Sequence, residues 1–195
     1  MKIAMFGGSF DPIHIGHLMI ADEVRYRLGY DRILLVPAHS PPHKAGAPIA
    51  SADERILMIE ASLRGRPEFE LERFEIDQRG VSFSVDTLRY LVRSGRVTGR
   101  PGLIIGQDLV GGFETWKEVD AIVEMSDLIV VGRPGESGSG LARPHRVVDN
   151  PLLDISSTEI RRRVAGSMPY RYMVHPDVFE FIAHERLYGG TGSLG

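Results

Sequence analysis

The sequence contains no cysteine, a single tryptophan and no long apolar run, and its charges nearly cancel. Without cysteine there are no disulfides, no thiolate-ligated zinc and no thiol nucleophile. No apolar stretch approaches the roughly 20 residues that span a bilayer, so no membrane segment is expected. A formal net charge of −3 and a pI near 6.2 favour neither nucleic acid nor an anionic lipid surface as a partner. The first residues are one lysine and a short apolar strand rather than a signal peptide, and a cytoplasmic protein is the simplest expectation. What is present is an ordinary globular balance of 195 residues, 43% hydrophobic and 25% charged. That suits one domain, here drawn over 1–188 with a loose tail over 189–195. No exposed apolar stripe selects an oligomeric state, and a homo-oligomer stays open.

Hydrophobic periodicity orders the chain. Residues 2–6 read as a strand ending at Gly7 and Gly8. A helix follows over about 16–28, with Leu18, Ala21, Val24 and Leu28 at helical spacing and Gly29 as its stop. Residues 32–36 form a short apolar run bounded by Pro37, as in a buried parallel strand. Four prolines in the twelve residues 37–48 make a loop. Ser51 and Glu54 then spell a capping box ahead of a helix. The spacing further predicts a strand over 69–76, a helix from Ser84 with Val85, Leu88, Leu91 and Val92 on one face, and a strand over 102–105. A helix over 116–125, strands over 128–131 and 146–148, a helix starting at 156–158 and a last one over 176–187 complete the pattern. Residues 132–144 read as a flexible connection. Alternating strands and helices predict an α/β fold, a parallel sheet with right-handed crossovers and helices on both faces. Ligands of such sheets bind at the carboxyl ends of the strands.

Gly7-Gly8-Ser9 follows the first strand but matches neither the dinucleotide fingerprint nor the P-loop, because the third glycine and the G-K-[ST] element are missing. His14 and His17 stand three apart at the next helix start, on one face. The spacing is not that of a metalloprotease, which uses i and i+4 with a glutamate between. Gly16 lets a ligand approach the backbone, the helix N-terminus offers free N–H groups, and two imidazoles add donors. Together these suit a polyphosphate. A second helix start, at 155–161 (ISSTEIR), brings hydroxyls to the cap and Arg161 one turn in, groups that also hold phosphates.

His14-Ile15-Gly16-His17 resembles the signature of the nucleotidyltransferase superfamily, and 155–161 resembles its S-x-T-x-x-R element. Within it, the chain is similar from end to end to the bacterial nicotinate-nucleotide adenylyltransferases. The matching pieces include GGSFDPIHIGHL, PAHSPPHK, ADERILM, SFSVDTL, IGQD, Trp116, RPG, ISSTEIR and VHPDVFEFI. The resemblance implies a Rossmann-like sheet of nucleotidyltransferase type and an enzyme of NAD biosynthesis that joins ATP to nicotinate mononucleotide. Gly7, Gly8, Ser9, Phe10, His14 and His17 would line the ATP phosphate site, with Gly106, Asp108 and Arg133 around the adenosine. Ile155, Ser156, Ser157, Thr158 and Arg161 would hold the leaving pyrophosphate. His14, His17 and Arg161 would act in catalysis. Lys44, Ser84, Thr87, Trp116 and Lys117 would bind the mononucleotide, Trp116 by stacking on the pyridine ring and the backbone near Ser84 and Lys117 by reading its carboxylate. Mg²⁺ would arrive with ATP, with no metal site of the protein's own. Two positions depart from the family pattern. Ser9 replaces a common threonine and keeps the hydroxyl. Lys117 stands where a second ring is usual, which puts the strength of base discrimination in doubt. Phosphopantetheine or the amidated mononucleotide as substrate, a non-catalytic nucleotide sensor and a zinc site are the competing expectations.

Overall fold

The structure, a computed structural model, describes residues 1–40, 48–132, 140–149 and 155–189. In chain order it runs β1 (Ile3–Gly8), α1 (Ile15–Leu28), β2 (Arg32–Pro37), α2 (Ala52–Leu63), β3 (Phe69–Leu71), α3 (Phe74–Gln78) and α4 (Ser84–Arg93). It continues with β4 (Gly102–Gly106), α5 (Gln107–Val110), α6 (Val119–Met125), β5 (Asp127–Gly132), β6 (His145–Asp149), α7 (Ser157–Ala165) and α8 (Pro176–His184). The six strands form one sheet in the order β3-β2-β1-β4-β5-β6, with every pairing parallel. This is the doubly wound order, whose switch point lies between the first and fourth strands.

Alternation along the strands makes two cores. Ala4, Phe6, Ile33, Leu35, Ile104 and Ile129 face one side, against Ala21 and Val24 of α1, Ile160 of α7 and Val178 of α8. Ile3, Met5, Leu34, Val36, Leu103 and Ile105 face the other, against Val85, Leu88 and Leu91 of α4 and Ile122 of α6. Each fully buried side chain of this kind contributes about 1.5–3 kcal/mol. Local signals start and stop the helices as expected: Ser51 and Glu54 form the capping box of α2, and Gly29 closes α1 in the left-handed region.

Several boundaries differ from the sequence expectation, each for a local reason. β1 runs on through Gly7 and Gly8, which pair with Val36 and Pro37. The strand read over 69–76 stops at Leu71. The Glu72 carboxylate accepts the Phe74 N–H at 3.0 Å and starts α3, so Glu75 and Ile76 are helical. The helix read over 116–125 begins only at Val119, because Glu118 adopts a left-handed backbone (φ 51°); Trp116 instead closes a 3₁₀ turn over Phe113–Thr115. The last helix ends at His184, and Arg186 (φ 52°) turns the chain into a further 3₁₀ turn over Leu187–Gly189. Val92 lies on the solvent side of α4, off the Val85–Leu88–Leu91 stripe.

Candidate active site

A cleft of about 1220 Å³ opens at the carboxyl ends of β1 and β4, on the switch point of the sheet. Its lining includes residues 6–11 with His14 and His17, Glu75, residues 82–84, residues 106–109 with 115–117, and residues 155–158 with Arg161.

The β1–α1 connection supplies the two histidines. His14 is the N-cap of α1 in an extended conformation and is 6% exposed; His17 is one turn on. Their rings stack at 3.6 Å between centroids, 26° apart in plane, and His17 meets the edge of Phe10 at 5.0 Å. Nδ1 of His17 accepts the backbone N–H of His14 at 3.2 Å. The neutral His17 ring therefore carries its proton on Nε2, the opposite edge. Gly16 serves this arrangement: a Cβ there would stand 3.1 Å from Nδ1 of His14 and 3.2 Å from its Cε1. The glycine makes room for the neighbouring imidazole.

The second helix start is bolted to the same loop. Ser156 caps α7 by accepting the Glu159 N–H at 3.1 Å. The Ser157 hydroxyl donates to the Pro12 carbonyl at 2.9 Å, and Arg161 Nη1 donates to the Asp11 carbonyl at 2.7 Å. Arg161 Nη2 also donates to Thr158 Oγ1 at 3.2 Å. The elements around 14–17 and 156–161 are thus joined by direct hydrogen bonds across some 145–150 residues of sequence.

Two residues that the sequence reading gave no role organise this loop. Asp11, 4% exposed, accepts from the N–H groups of Ile49 (2.8 Å) and Ala50 (3.1 Å) and from the Tyr188 hydroxyl (2.8 Å). Burial, and then the charge of Asp11, push the Tyr188 hydroxyl well above the usual phenol range. Arg55 lies in α2, 1% exposed, and donates through Nη1 to the carbonyls of Ser9 (2.8 Å) and Ala38 (2.7 Å). Burial lowers its pKa, and the nearby Asp11 carboxylate opposes that. The signal for Arg55 was legible in principle: with Met58, Ile59 and Ser62 it sits on the buried stripe of α2, where an arginine needs partners.

At β4 the cleft receives Gly106 and Asp108. The Asp108 carboxyl folds back over Gly106, in the space a Cβ would take. Trp116 lies tilted on Phe113, 5.1 Å between ring centroids, and lines the cleft beside Lys117. Lys117 Nζ pairs with Asp86 at 2.9 Å and lies 4.6 Å above the Phe83 ring. Ser84 opens α4 and also lines the cleft. Thr87 does not: it is fully buried, and its hydroxyl donates to Glu75 Oε1 at 2.6 Å, which removes it from the set expected to touch a ligand. Lys44 and Arg133 lie outside the described residues.

This cleft gathers hydrogen-bond donors, a guanidinium and two helix starts at the edge of a nucleotide-type sheet, which suits aligning phosphates rather than launching an attack from a side chain. The protein is a nucleotidyltransferase. The family model described as cytidylyltransferase-like matches residues 5–163. A Bacillus pumilus protein named "Probable nicotinate-nucleotide adenylyltransferase" is 37% identical over 96% of this chain and 98% of its own, and one of the same name from Roseiflexus castenholzii is 39% identical over 96% and 98%. The chain belongs to the nicotinate-nucleotide adenylyltransferase family. Its fold is that of the nicotinic acid mononucleotide adenylyltransferase of Plasmodium falciparum solved with NaAD, with a TM-score of 0.80, 19% identity and coverage of 98% of this chain and 99% of that one. No helix among the described residues is long and apolar enough to cross a membrane.

Proposed function

We propose that this protein transfers the adenylyl group of ATP to nicotinate mononucleotide, releasing pyrophosphate and nicotinate adenine dinucleotide for NAD biosynthesis. The observation that carries the reading is the pinning of both phosphate-type helix starts to one loop, through Ser157 to Pro12 and Arg161 to Asp11. A phosphate oxygen of the mononucleotide attacks the α-phosphorus of ATP. The bond from that phosphorus to the bridging oxygen of the β-phosphate breaks, and the charge leaves with pyrophosphate. The nucleophile is already an anion at neutral pH, since its second pKa is about 6, so no general base is needed.

The work left to the protein is alignment and charge stabilisation. Nε2–H of His17, held by the His14 backbone, donates to the α-phosphate region, with His14 stacked beside it. Arg161 and the N–H groups and hydroxyls at 156–158 receive the leaving pyrophosphate, with the backbone of Gly7, Gly8, Ser9 and Phe10 along the phosphates. Gly106, Asp108 and Arg133 take the adenosine. Trp116 takes the pyridine ring, while Lys44, Ser84 and Lys117 take the rest of the mononucleotide. Mg²⁺ enters with ATP as part of the substrate. A supply of ATP fits a cytoplasmic setting.

The test is a substrate panel with ATP and Mg²⁺: nicotinate mononucleotide, nicotinamide mononucleotide and phosphopantetheine, with pyrophosphate release and dinucleotide mass as readouts. Turnover is expected with the nicotinate form above the others. ATP binding without pyrophosphate release from any of them would mark a sensor and overturn the proposal.

A further inference from the structure

The cleft wall holds two buried acids among the described residues, Asp11 and Glu75. Asp11 is taken up by the loop. Glu75 has no part in the reaction above, yet it sits where three segments meet. From α3 it accepts the Thr87 hydroxyl of α4 at 2.6 Å, and the Ser82 hydroxyl is its other hydrogen-bond partner. Ser82 Oγ in turn accepts the His39 N–H at 2.9 Å, its N–H donates to the Ser40 carbonyl at 3.0 Å, and His39 Nδ1 lies 3.1 Å from the Gly80 carbonyl. One carboxyl thus ties the exit of β2 and the first turn of α4 to the 82–84 segment that forms the cleft wall. A helical threonine often returns its hydroxyl to the carbonyl four residues back; Thr87 gives it to Glu75 instead.

We propose that Glu75 is a positioning residue for the 82–84 end of the cleft and that its own charge sets the balance there between an anionic nicotinate and a neutral nicotinamide mononucleotide. This rests on the pyridine reading of that end. The groups facing Glu75 are Thr87 and Asp86 from α4, Ser82 from the connection and, beyond Ser82, His39 from the β2 exit. Asp86 is shared with Lys117 and Arg89. Burial raises the Glu75 carboxyl above the ordinary carboxylate range, Asp86 adds in the same direction, and the hydrogen bonds from Thr87 and Ser82 oppose them. An incoming carboxylate disfavours an ionised neighbour, whereas a protonated Glu75 leaves the wall neutral and the carboxylate to the α4 N–H groups.

The experiment measures kcat/KM for both mononucleotides across pH and takes their ratio, which cancels the titration of ATP and of the shared phosphate. In the wild type the nicotinate-to-nicotinamide ratio is expected to fall by about threefold or more as pH rises through the raised Glu75 pKa. In Glu75→Gln, which keeps an acceptor for Thr87 but cannot ionise, the ratio should stay flat. Glu75→Ala should raise KM for the mononucleotide by about tenfold, with kcat and KM for ATP within about twofold, and Glu75→Gln should restore most of it. A slope retained in Glu75→Gln, or equal movement of both KM values in a folded Glu75→Ala, overturns the inference. The Glu75→Gln slope decides the matter even if Glu75→Ala does not fold. Wild-type protein that turns over no pyridine mononucleotide overturns the substrate reading, whereas turnover with a flat wild-type ratio overturns this inference alone.

Discussion

His14 and His17 stack face to face at 3.6 Å, and the backbone N–H of the first holds Nδ1 of the second. On the proposed reading the pair is one donor unit, with Nε2–H of His17 as its working end. His17→Ala removes that ring, along with its edge contacts to Phe6 and Phe10. Turnover should fall about a hundredfold or more, the loss of roughly 3 kcal/mol of transition-state stabilisation. Thermal melting checks that the variant is folded. A loss of less than about threefold would sink the assigned role.

Gly16→Ala separates helix propensity from site geometry. Alanine is worth up to about 1 kcal/mol more than glycine within a helix. Its Cβ, however, would press on Nδ1 and Cε1 of His14. The variant should melt at or near the parent temperature while kcat drops about tenfold or more, because the imidazole pair is displaced. Full activity with alanine at this position would show that the stack does not set the donor.

Arg55→Met keeps an aliphatic stem in the core of α2 but abandons the carbonyls of Ser9 and Ala38, both of which face its guanidinium. A buried carbonyl left unpaired costs about 1–3 kcal/mol, and with the Ala38 carbonyl buried and that of Ser9 part-buried a loss of ~3 kcal/mol is expected in urea unfolding. KM for ATP should rise as well, since Ser9 belongs to the loop that the guanidinium supports. Unchanged stability would mean that water replaces the guanidinium at no cost.

Stability should also carry the signature of Glu75. Its native pKa lies above the value in an unfolded chain, about 4.3. Between those two values the native state keeps a proton that the unfolded state has released. Stability from this group is therefore complete below the lower value and lost as pH rises through the raised one. Urea unfolding of wild type and Glu75→Gln across that range should show the wild type losing ground relative to the variant as pH rises. Parallel curves would contradict the buried, raised carboxyl.

Tyr188→Phe deletes a largely buried hydrogen bond to a carboxylate that keeps its two backbone donors. Bonds to charged groups contribute about 1.5–3 kcal/mol, and a loss of ~2 kcal/mol in urea is expected. A variant as stable as its parent would mean that the latch is not closed in solution.

Much of the site was legible because the elements that carry it start helices. Both signatures sit at N-termini, where hydroxyls, imidazoles and a following arginine follow a local rule, and the structure joins them through hydrogen bonds to Asp11 and Pro12. The capping box of α2 was legible for the same reason. What escaped depends on long-range partners. Glu75 was hidden by reading 69–76 as one strand, because apolar Phe69, Leu71 and Ile76 outweighed a break that only the Glu72 side chain makes. Thr87 looked like a ligand contact because no local pattern reveals that it faces a buried acid. Asp11 and Arg55 stood in plain view within matching blocks, but their importance lies in bonds to partners 17–177 positions away. Trp116 fell into a helix on paper since nothing in its composition announces the left-handed turn at Glu118.

The Tyr188–Asp11 bond has a bearing on how the protein is made. The loop that would grip the phosphates is synthesised well before Tyr188, one of its restraints, which arrives 177 residues later. At roughly 5–20 residues per second, a ribosome takes on the order of 10–35 s to cover that distance. Throughout that interval the nascent chain holds both histidines but not the hydroxyl that fastens the loop, and Arg161 comes nearly as late. Any grip on ATP that depends on these restraints is therefore withheld from growing chains, and a premature stop late in translation would yield a protein whose sheet is complete but whose β1–α1 loop lacks the Tyr188 bond.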